Sequence, residues 1–556
     1  VQQIAAGVVE HTNSCGGRTP PKSVISKLSQ IAFNGKHPSN AERDMHNVLK
    51  QTALDVEIEF CDVRFWQPST GQLKVTKFPF IFPDRLALKI WELGEEYFQY
   101  YFFGDQDAAV FWQHVQHHEW AAGHVAHAEN LARLAPITFY GDDVHTYKNT
   151  EVGVISVCAW STDYFTREHL PLDRYFLISA FSEYLATEET WGDCMQHLSA
   201  RFASLVGRRD WPWSAAGYGF AMSSCTGDLK WLKEHFGVHN YNQNSFCGYC
   251  SCKKVDPGNP SNTLGDFSDT AHHRQARFGH DEFWAATDPN SRHVFFDIPG
   301  FRYDRFLHAP LHGQLLGTGK LTNGSFLTYV IERGWFGEMV GEYELALGVC
   351  LNVAYKHFVE YNKEYGKPVS HPRFTPARLH RKGRTQMPSL ASKGAASKRI
   401  TYWLASLAEQ FGCMENATLL DQECCTCMIA YAEMLKRLDM APLLLSETDA
   451  RTIHNLGLVH LQTYSALRNR SARTFGHQAL NRSLWPLVPK HHYLLHMLTD
   501  TVLKDRLNPR CQTLFCGESF IGHIGRMAKA CHRASLGKRL LQRYRVLFGL
   551  KLKQLS

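Results

Sequence analysis

Pro136-Ile-Thr-Phe-Tyr-Gly-Asp142-Asp143-Val144 is a run of β-branched and aromatic residues that meets two acids, and everything downstream is read from it. Residues 152–160 and 174–181 are two more such runs, set off by polar, turn-like residues, so the three predict consecutive strands. Trp191, Met195, Leu198, Phe202 and Leu205 then recur at steps of four and three, the spacing of a helix that buries one face. Trp211-Pro-Trp213 breaks the chain, and residues 217–226 predict a fourth strand that stops at Gly227-Asp228. One acid therefore sits on the first strand and another directly follows the fourth.

Three strands, a helix and a fourth strand is the order of an RNase H-like core. Upstream, residues 1–134 read as mainly helical and irregular, with an aromatic-rich helical pair across 91–112. His117-His118-Glu119 imitates half of a deaminase metal motif but lacks the Pro-Cys-x-x-Cys partner, so these histidines read as packing or surface residues. Beyond Cys252 the strand signals fade, and 335–365, 400–411, 421–438 and 452–469 predict helices. Phe520, Ile524, Met527 and Cys531 keep helical spacing after Glu518, which puts that acid in the first turn of a helix. The expectation is an α/β protein in four parts. A helical N-terminal region (1–134) leads into an RNase H-like mixed-sheet core (135–245), which a large all-α insertion (246–510) interrupts. A catalytic helix and basic tail (511–556) close the chain.

Cys247-x-x-Cys250 follows Asp228, and His492-x-x-x-His496 precedes Glu518. Each half has permitted zinc spacing, and a closed Cys₂His₂ set is structural rather than catalytic. Such a zinc would staple the start of the insertion to its end; Cys252 and His491 are the substitutes if one ligand is misassigned. Cys424, Cys425 and Cys427 lie on a predicted helix and read as core fillers. The three acids suit phosphodiester chemistry. Two Mg²⁺ ions held roughly 3.5–4 Å apart by carboxylates activate the attacking oxygen and neutralise the leaving one. Asp142 is the expected bridging carboxylate, with Asp228 and Glu518 each completing one metal. Asp143 stays open as the first acid, since neighbours on a strand face opposite sides.

The bulk numbers narrow the class. At 44% hydrophobic, 12% aromatic and 20% charged the chain is globular, and 556 residues imply several structural units. The net charge of +7 is mild, but 365–408 and 519–556 each hold nine Lys or Arg and no acid, as faces turned toward a polyanion would. Sixteen cysteines without module spacing argue against a disulfide scaffold, which points to reduced thiols in cytosol or nucleus. No apolar run approaches the roughly 20 residues of a membrane helix. A start at Val is compatible with a longer product. Gly313-Gln-Leu-Leu-Gly-Thr-Gly319-Lys320-Leu321 imitates a phosphate-binding loop, but Gln314 and Leu321 stand where Gly and Ser or Thr are needed, so no nucleotide cofactor is expected.

Taken together, the three acids, Cys-x-x-Cys after the second, and Pro489-Lys-His-His492-Tyr-Leu-Leu-His496 before the third resemble the DDE transposases of the CACTA and Transib type. The catalytic core of the V(D)J recombinase is a relative of that group. Tyr303-Asp-Arg-Phe-Leu-His308 is similar to its Asp-x-x-His element with one residue more, and Cys516-Gly-Glu518-Ser-Phe-Ile-Gly522 to its third-acid helix. The resemblance spans roughly 130–550. It implies Mg²⁺-dependent hydrolysis that frees a 3′-hydroxyl, which then attacks target DNA. By carry-over, Asp142, Asp228 and Glu518 hold two Mg²⁺ (or Mn²⁺) ions, and Cys247, Cys250, His492 and His496 hold zinc. Arg381, Lys382, Arg384, Arg526, Lys529 and Arg533 would contact phosphates of double-stranded DNA, in a nuclear homodimer. The competing readings are a relative that binds DNA without cutting it, a nuclease that never joins ends, and a zinc-stabilised scaffold.

Overall fold

The computed structural model describes residues 2–20, 23–50, 55–104, 106–146, 153–162, 174–238, 241–288, 292–364, 371–474, 484–512, 515–532 and 535–554. Among the described residues seven strands form two sheets. β1 (Glu59–Gln67) and β2 (Gln72–Phe80) make an antiparallel hairpin whose turn ends at Gly71, with φ at +65°. β3 (Leu134–His145), β4 (Val154–Thr162), β5 (Tyr175–Ser182), β6 (Gly219–Gly227) and β7 (Phe306–His308) form a mixed sheet in the order β5-β4-β3-β6-β7. β3 pairs antiparallel with β4, and β4 with β5. Between β5 and β6 runs the helix Glu188–Gly207, opened by a capping box between Thr187 and Thr190. The four strands and helix expected across 136–226 are thus all present.

Two features depart from the expected pattern. The β1–β2 hairpin lies where helix and irregular chain were expected: Val63 and Phe65 are buried while Asp62, Arg64 and Trp66 stay exposed, a period of two that five residues, Cys61-Asp-Val-Arg-Phe65, already carry in the sequence. β7 has three residues, too few for any period to show.

The chain divides into two compact units, the first comprising Val1–Cys225, Pro289–Arg305 and Cys516–Ser556. Residues before 134 therefore share a unit with β3, β4 and β5. Ile81 donates its amide to the Ile178 carbonyl (2.9 Å), and Trp112 Nε1 donates to the Leu134 carbonyl (2.7 Å). The core is aromatic: Trp160 packs on Phe102 and Phe176 with ring centroids 5.5 and 5.0 Å apart. Arg201, on the Glu188–Gly207 helix, reaches the buried Asp84 (3.1 Å) and also Glu59, which ties that helix to the hairpin.

The second unit comprises Thr226–Asp288 and Phe306–Phe515. Its body is the helices Gly319–Glu332, Tyr343–Glu364, Gly394–Gly412, Leu419–Met440 and Glu447–Thr474. The expected helix start at 335 moves to Tyr343, because Gly334, Gly337 and Gly341 adopt φ of +84°, +111° and +91°. The all-α expectation fails for the cysteine-bearing stretch, where turns, bridges and short helices replace long ones and Pro257, Gly258, Asn259 and Pro260 interrupt the chain. Cys424, Cys425 and Cys427 are buried in the helical core, as expected of fillers. No described helix is long and apolar enough to cross a membrane.

Asp421 locks this helical body. Fully buried, it accepts two bonds from Arg333 (both 2.9 Å), one from Tyr329 (2.7 Å), and bonds from the Thr418 hydroxyl and amide (2.7 Å each). Burial alone raises a carboxyl's pKa, but these donors outweigh it and bring Asp421 down to about 2. Because the folded value lies below the unfolded one, the stabilisation is present above about pH 4 and is lost as pH falls toward 2. Asp421→Asn is expected to cost about 3 kcal/mol in urea unfolding at neutral pH. The loss should shrink between pH 4 and 2; a pH-independent difference would contradict this role.

Candidate metal centre

Two distant pieces of the second unit build the centre. Cys247 and Cys250 flank a tight turn, in which the Tyr249 amide donates to Cys247 Sγ (3.3 Å). His492 and His496 lie four residues apart on the helix Pro489–His496, so both project from one face. Cys247 Sγ lies 3.2 Å from His496 Nε2, Cys250 Sγ 3.1 Å from His492 Nε2, and the two Nε2 atoms are 3.0 Å apart. All four ligand atoms lie within 4.8 Å of one another, and every residue is buried. With bonds of roughly 2.0–2.3 Å, a tetrahedral zinc has ligand–ligand edges of roughly 3.3–3.8 Å. The observed separations are close to that size, and the donor set is the right one for the ion. This cluster can hold a zinc ion.

The surroundings fit a ligand role. His496 Nδ1 lies 3.2 Å from Asp500 and 2.6 Å from Arg277, which are themselves paired, so the ring is held with Nε2 turned into the cluster. Burial lowers His492 to about 4, which keeps its imidazole neutral. Burial pushes the Cys247 thiol up, while hydrogen bonds from Cys247 and Cys252 pull Cys250 down toward thiolate. Tyr493 donates to the Phe246 carbonyl (3.0 Å) and closes the apolar shell. Of the two substitutes, Cys252 is adjacent, since with His273 and His492 it forms a second, overlapping group of possible ligands. His491 is not in the cluster: it is turned toward Tyr464, with a ring separation of 4.3 Å. His273, Asp500 and Arg277 escape the sequence reading because they carry no spacing signature.

The acids divide between the units. In the first, Asp142 lies on β3 opposite Val157 and is buried; Tyr140 donates its hydroxyl to Oδ2 (2.9 Å) and the Asp143 amide to Oδ1 (2.8 Å). Alternation puts Asp142 on the face of Tyr140 and Val144. The helix Phe515–Lys529 covers that face: Gly525 approaches Val144 so closely that a Cβ would lie 3.2 Å from its methyl. Phe520 of the same helix packs on Tyr175, 5.8 Å between rings. Glu518 belongs to its first turn, as expected, but its side chain lies outside the described residues. Asp143 points to the opposite face and accepts from the Ser156 hydroxyl (2.6 Å).

In the second unit, Asp228 N-caps the helix Leu229–Phe236, accepting from the Trp231 amide (2.6 Å). It also borders a cavity of about 420 Å³ with His308, His312 and Lys490. No group of possible metal ligands among the described residues includes Asp142 or Asp228, whereas Asp143 belongs to one.

No protein-family model and no characterised protein matches this chain.

The basic residues sort differently from expectation. Arg381 is fully buried, donating to the Tyr343 hydroxyl (2.7 Å), to Glu332 (3.3 Å) and to the Gln386 carbonyl. It is a core fastener, not a phosphate contact, and its place in a charge-rich run concealed this. Lys382 and Arg384 are exposed, the latter 5.2 Å over the Tyr343 ring. Arg526 and Lys529 are exposed on the Phe515–Lys529 helix; Arg533 lies outside the described residues.

Proposed function

We propose that this protein is a DDE-type, transposase-like enzyme with an RNase H-like core, which cuts DNA at element ends and joins the freed strand to a target. The observation that carries this reading is the order of the five-stranded sheet. Counted from β3, it runs third, second, first, fourth, fifth, with Asp142 on the first strand and Asp228 directly after the fourth. The face shared by Asp142 and the helix of Glu518 supports Asp142 over Asp143 as the first acid. Asp142, Asp228 and Glu518 would hold two Mg²⁺ or Mn²⁺ ions, which when bound supply activation of the attacking oxygen and charge neutralisation of the leaving one. The chain's own part is to place carboxylate oxygens and to grip phosphates through Lys382, Arg384, Arg526 and Lys529, contacts that are independent of base sequence and weaken with salt. The zinc cluster acts only as a staple. Double-stranded DNA is the substrate, a homodimer the working form, and the nucleus the place.

One observation favours a second reading, a relative that binds DNA without cutting it. Asp228 caps a helix, and a protein with no catalytic use for it would still keep it. Supercoiled plasmid incubated with the full chain and Mg²⁺ or Mn²⁺ separates the two. The enzyme reading expects metal-dependent nicking and strand joining; zinc-loaded protein that binds the plasmid and leaves it intact supports the binding-only relative. Nicking with no joined products would indicate a plain nuclease.

A further inference from the structure

The cavity beside Asp228 does not end there. A second cavity of the same unit, about 780 Å³, adjoins it, and Lys254, Val488 and Pro489 line both. That shared wall puts the linings in series, from Asp228 and Lys490, past Lys254, to Arg468. Four cations (Lys230, Lys254, Lys490 and Arg468) line the two cavities against two acids, Asp228 and Asp266. The Lys490 stem crosses Gly317, where a Cβ would lie 2.5 Å from Lys490 Cδ, so a glycine makes room for it. Lys490 forms no ion pair among the described residues. Val488 and Pro489 supply apolar wall, and Tyr241 adds an aromatic ring to the Asp228 end.

Cations along a concave track, apolar wall between them and an aromatic ring for a base are the parts of a single-strand groove. The sizes agree, since cavities of roughly 300–1,000 Å³ hold small molecules, a nucleotide or two, and not a duplex. We propose that this path binds one unpaired DNA strand, its phosphates on Lys490, Lys254 and Arg468 and a base against Tyr241. The choice of DNA as the polymer rests on the transposase-like reading above. The groove would lead an unpaired strand to or from Asp228.

The test is fluorescence anisotropy of the zinc-loaded full chain with a labelled oligo-dT roughly 8 nucleotides long, beside Lys254→Glu and Arg468→Glu. Zinc content and melting temperature report the folding of each variant. Each substitution is expected to weaken single-strand binding at least about tenfold and to flatten its salt dependence, with a duplex of equal length affected much less. Unchanged single-strand affinity in both variants would overturn the groove. So would equal losses for strand and duplex, or displacement of the strand by dTMP at the same nucleotide concentration, which marks a mononucleotide pocket. Plasmid nicking is read on the same preparations. A chain that nicks nothing but loses the strand in both variants keeps the groove and drops the nuclease. A chain that nicks while both variants hold the strand keeps the nuclease and drops the groove.

Discussion

Cys250→Ser and His496→Ala proteins are expected to purify without zinc and with the second unit unfolded. The magnitude follows from the site's construction. All four ligands are buried and two of them come from a cysteine-bearing stretch with no long helix, held besides the metal only by a small apolar cluster and a few hydrogen bonds such as Tyr493 to the Phe246 carbonyl and Gln462 to the Phe267 carbonyl. Structural zinc sites carry roughly 10–16 kcal/mol of apparent binding energy, which equals or exceeds the roughly 5–15 kcal/mol by which a whole domain is stable. Limited proteolysis should cut first within Thr226–Asp288 and Phe306–Phe515. Asp500→Ala, which removes only the carboxylate behind His496, should retain zinc with an affinity lower by about 10- to 100-fold. Measured metal content decides the matter: a full equivalent of zinc in Cys250→Ser would place the ligands elsewhere.

The second large effect separates two neighbouring acids. Asp142→Asn is expected to lower DNA nicking by roughly a thousandfold or more, about 4 kcal/mol of barrier, whereas Asp143→Asn should change it by less than about tenfold. The difference comes from the pleat, which turns Asp142 toward the face covered by the Phe515–Lys529 helix and Asp143 toward Ser156 on the other. Asp228 needs a control, because it also caps a helix. Asp228→Ala gives up both roles and about 1 kcal/mol of stability, while Asp228→Asn preserves the cap and removes only the charge. Equal activity in Asp142→Asn and wild type would remove Asp142 from the chemistry.

Local, periodic features were readable from the sequence. Strands of eight to twelve residues at 134–227 and a twenty-residue helix carry their own period, and Cys-x-x-Cys with His-x₃-His carries a spacing that few other uses require. What depends on tertiary partners was not readable. Arg381 and Arg384 both meet Tyr343, but only Arg381 is buried, with a bond to Glu332 49 residues away in the chain. His273 and Asp500 matter because the chain folds them against His492 and His496, and no motif announces a supporting residue. β7 is too short to declare itself, whereas β1 does carry a legible alternation, Cys61-Asp-Val-Arg-Phe65, that the helical and irregular expectation for 1–134 missed. Glycines at 334, 337 and 341 delayed a helix that hydrophobic spacing alone would have begun earlier.

The measurement that bears most directly on the central claim is cleavage and strand transfer on supercoiled plasmid with Mg²⁺ or Mn²⁺, wild type beside Asp228→Asn and Glu518→Ala, each verified for zinc content and folding. Wild type is expected to nick and join in a metal-dependent manner, and the two variants to do neither. Cleavage that survives both substitutions would contradict the claim.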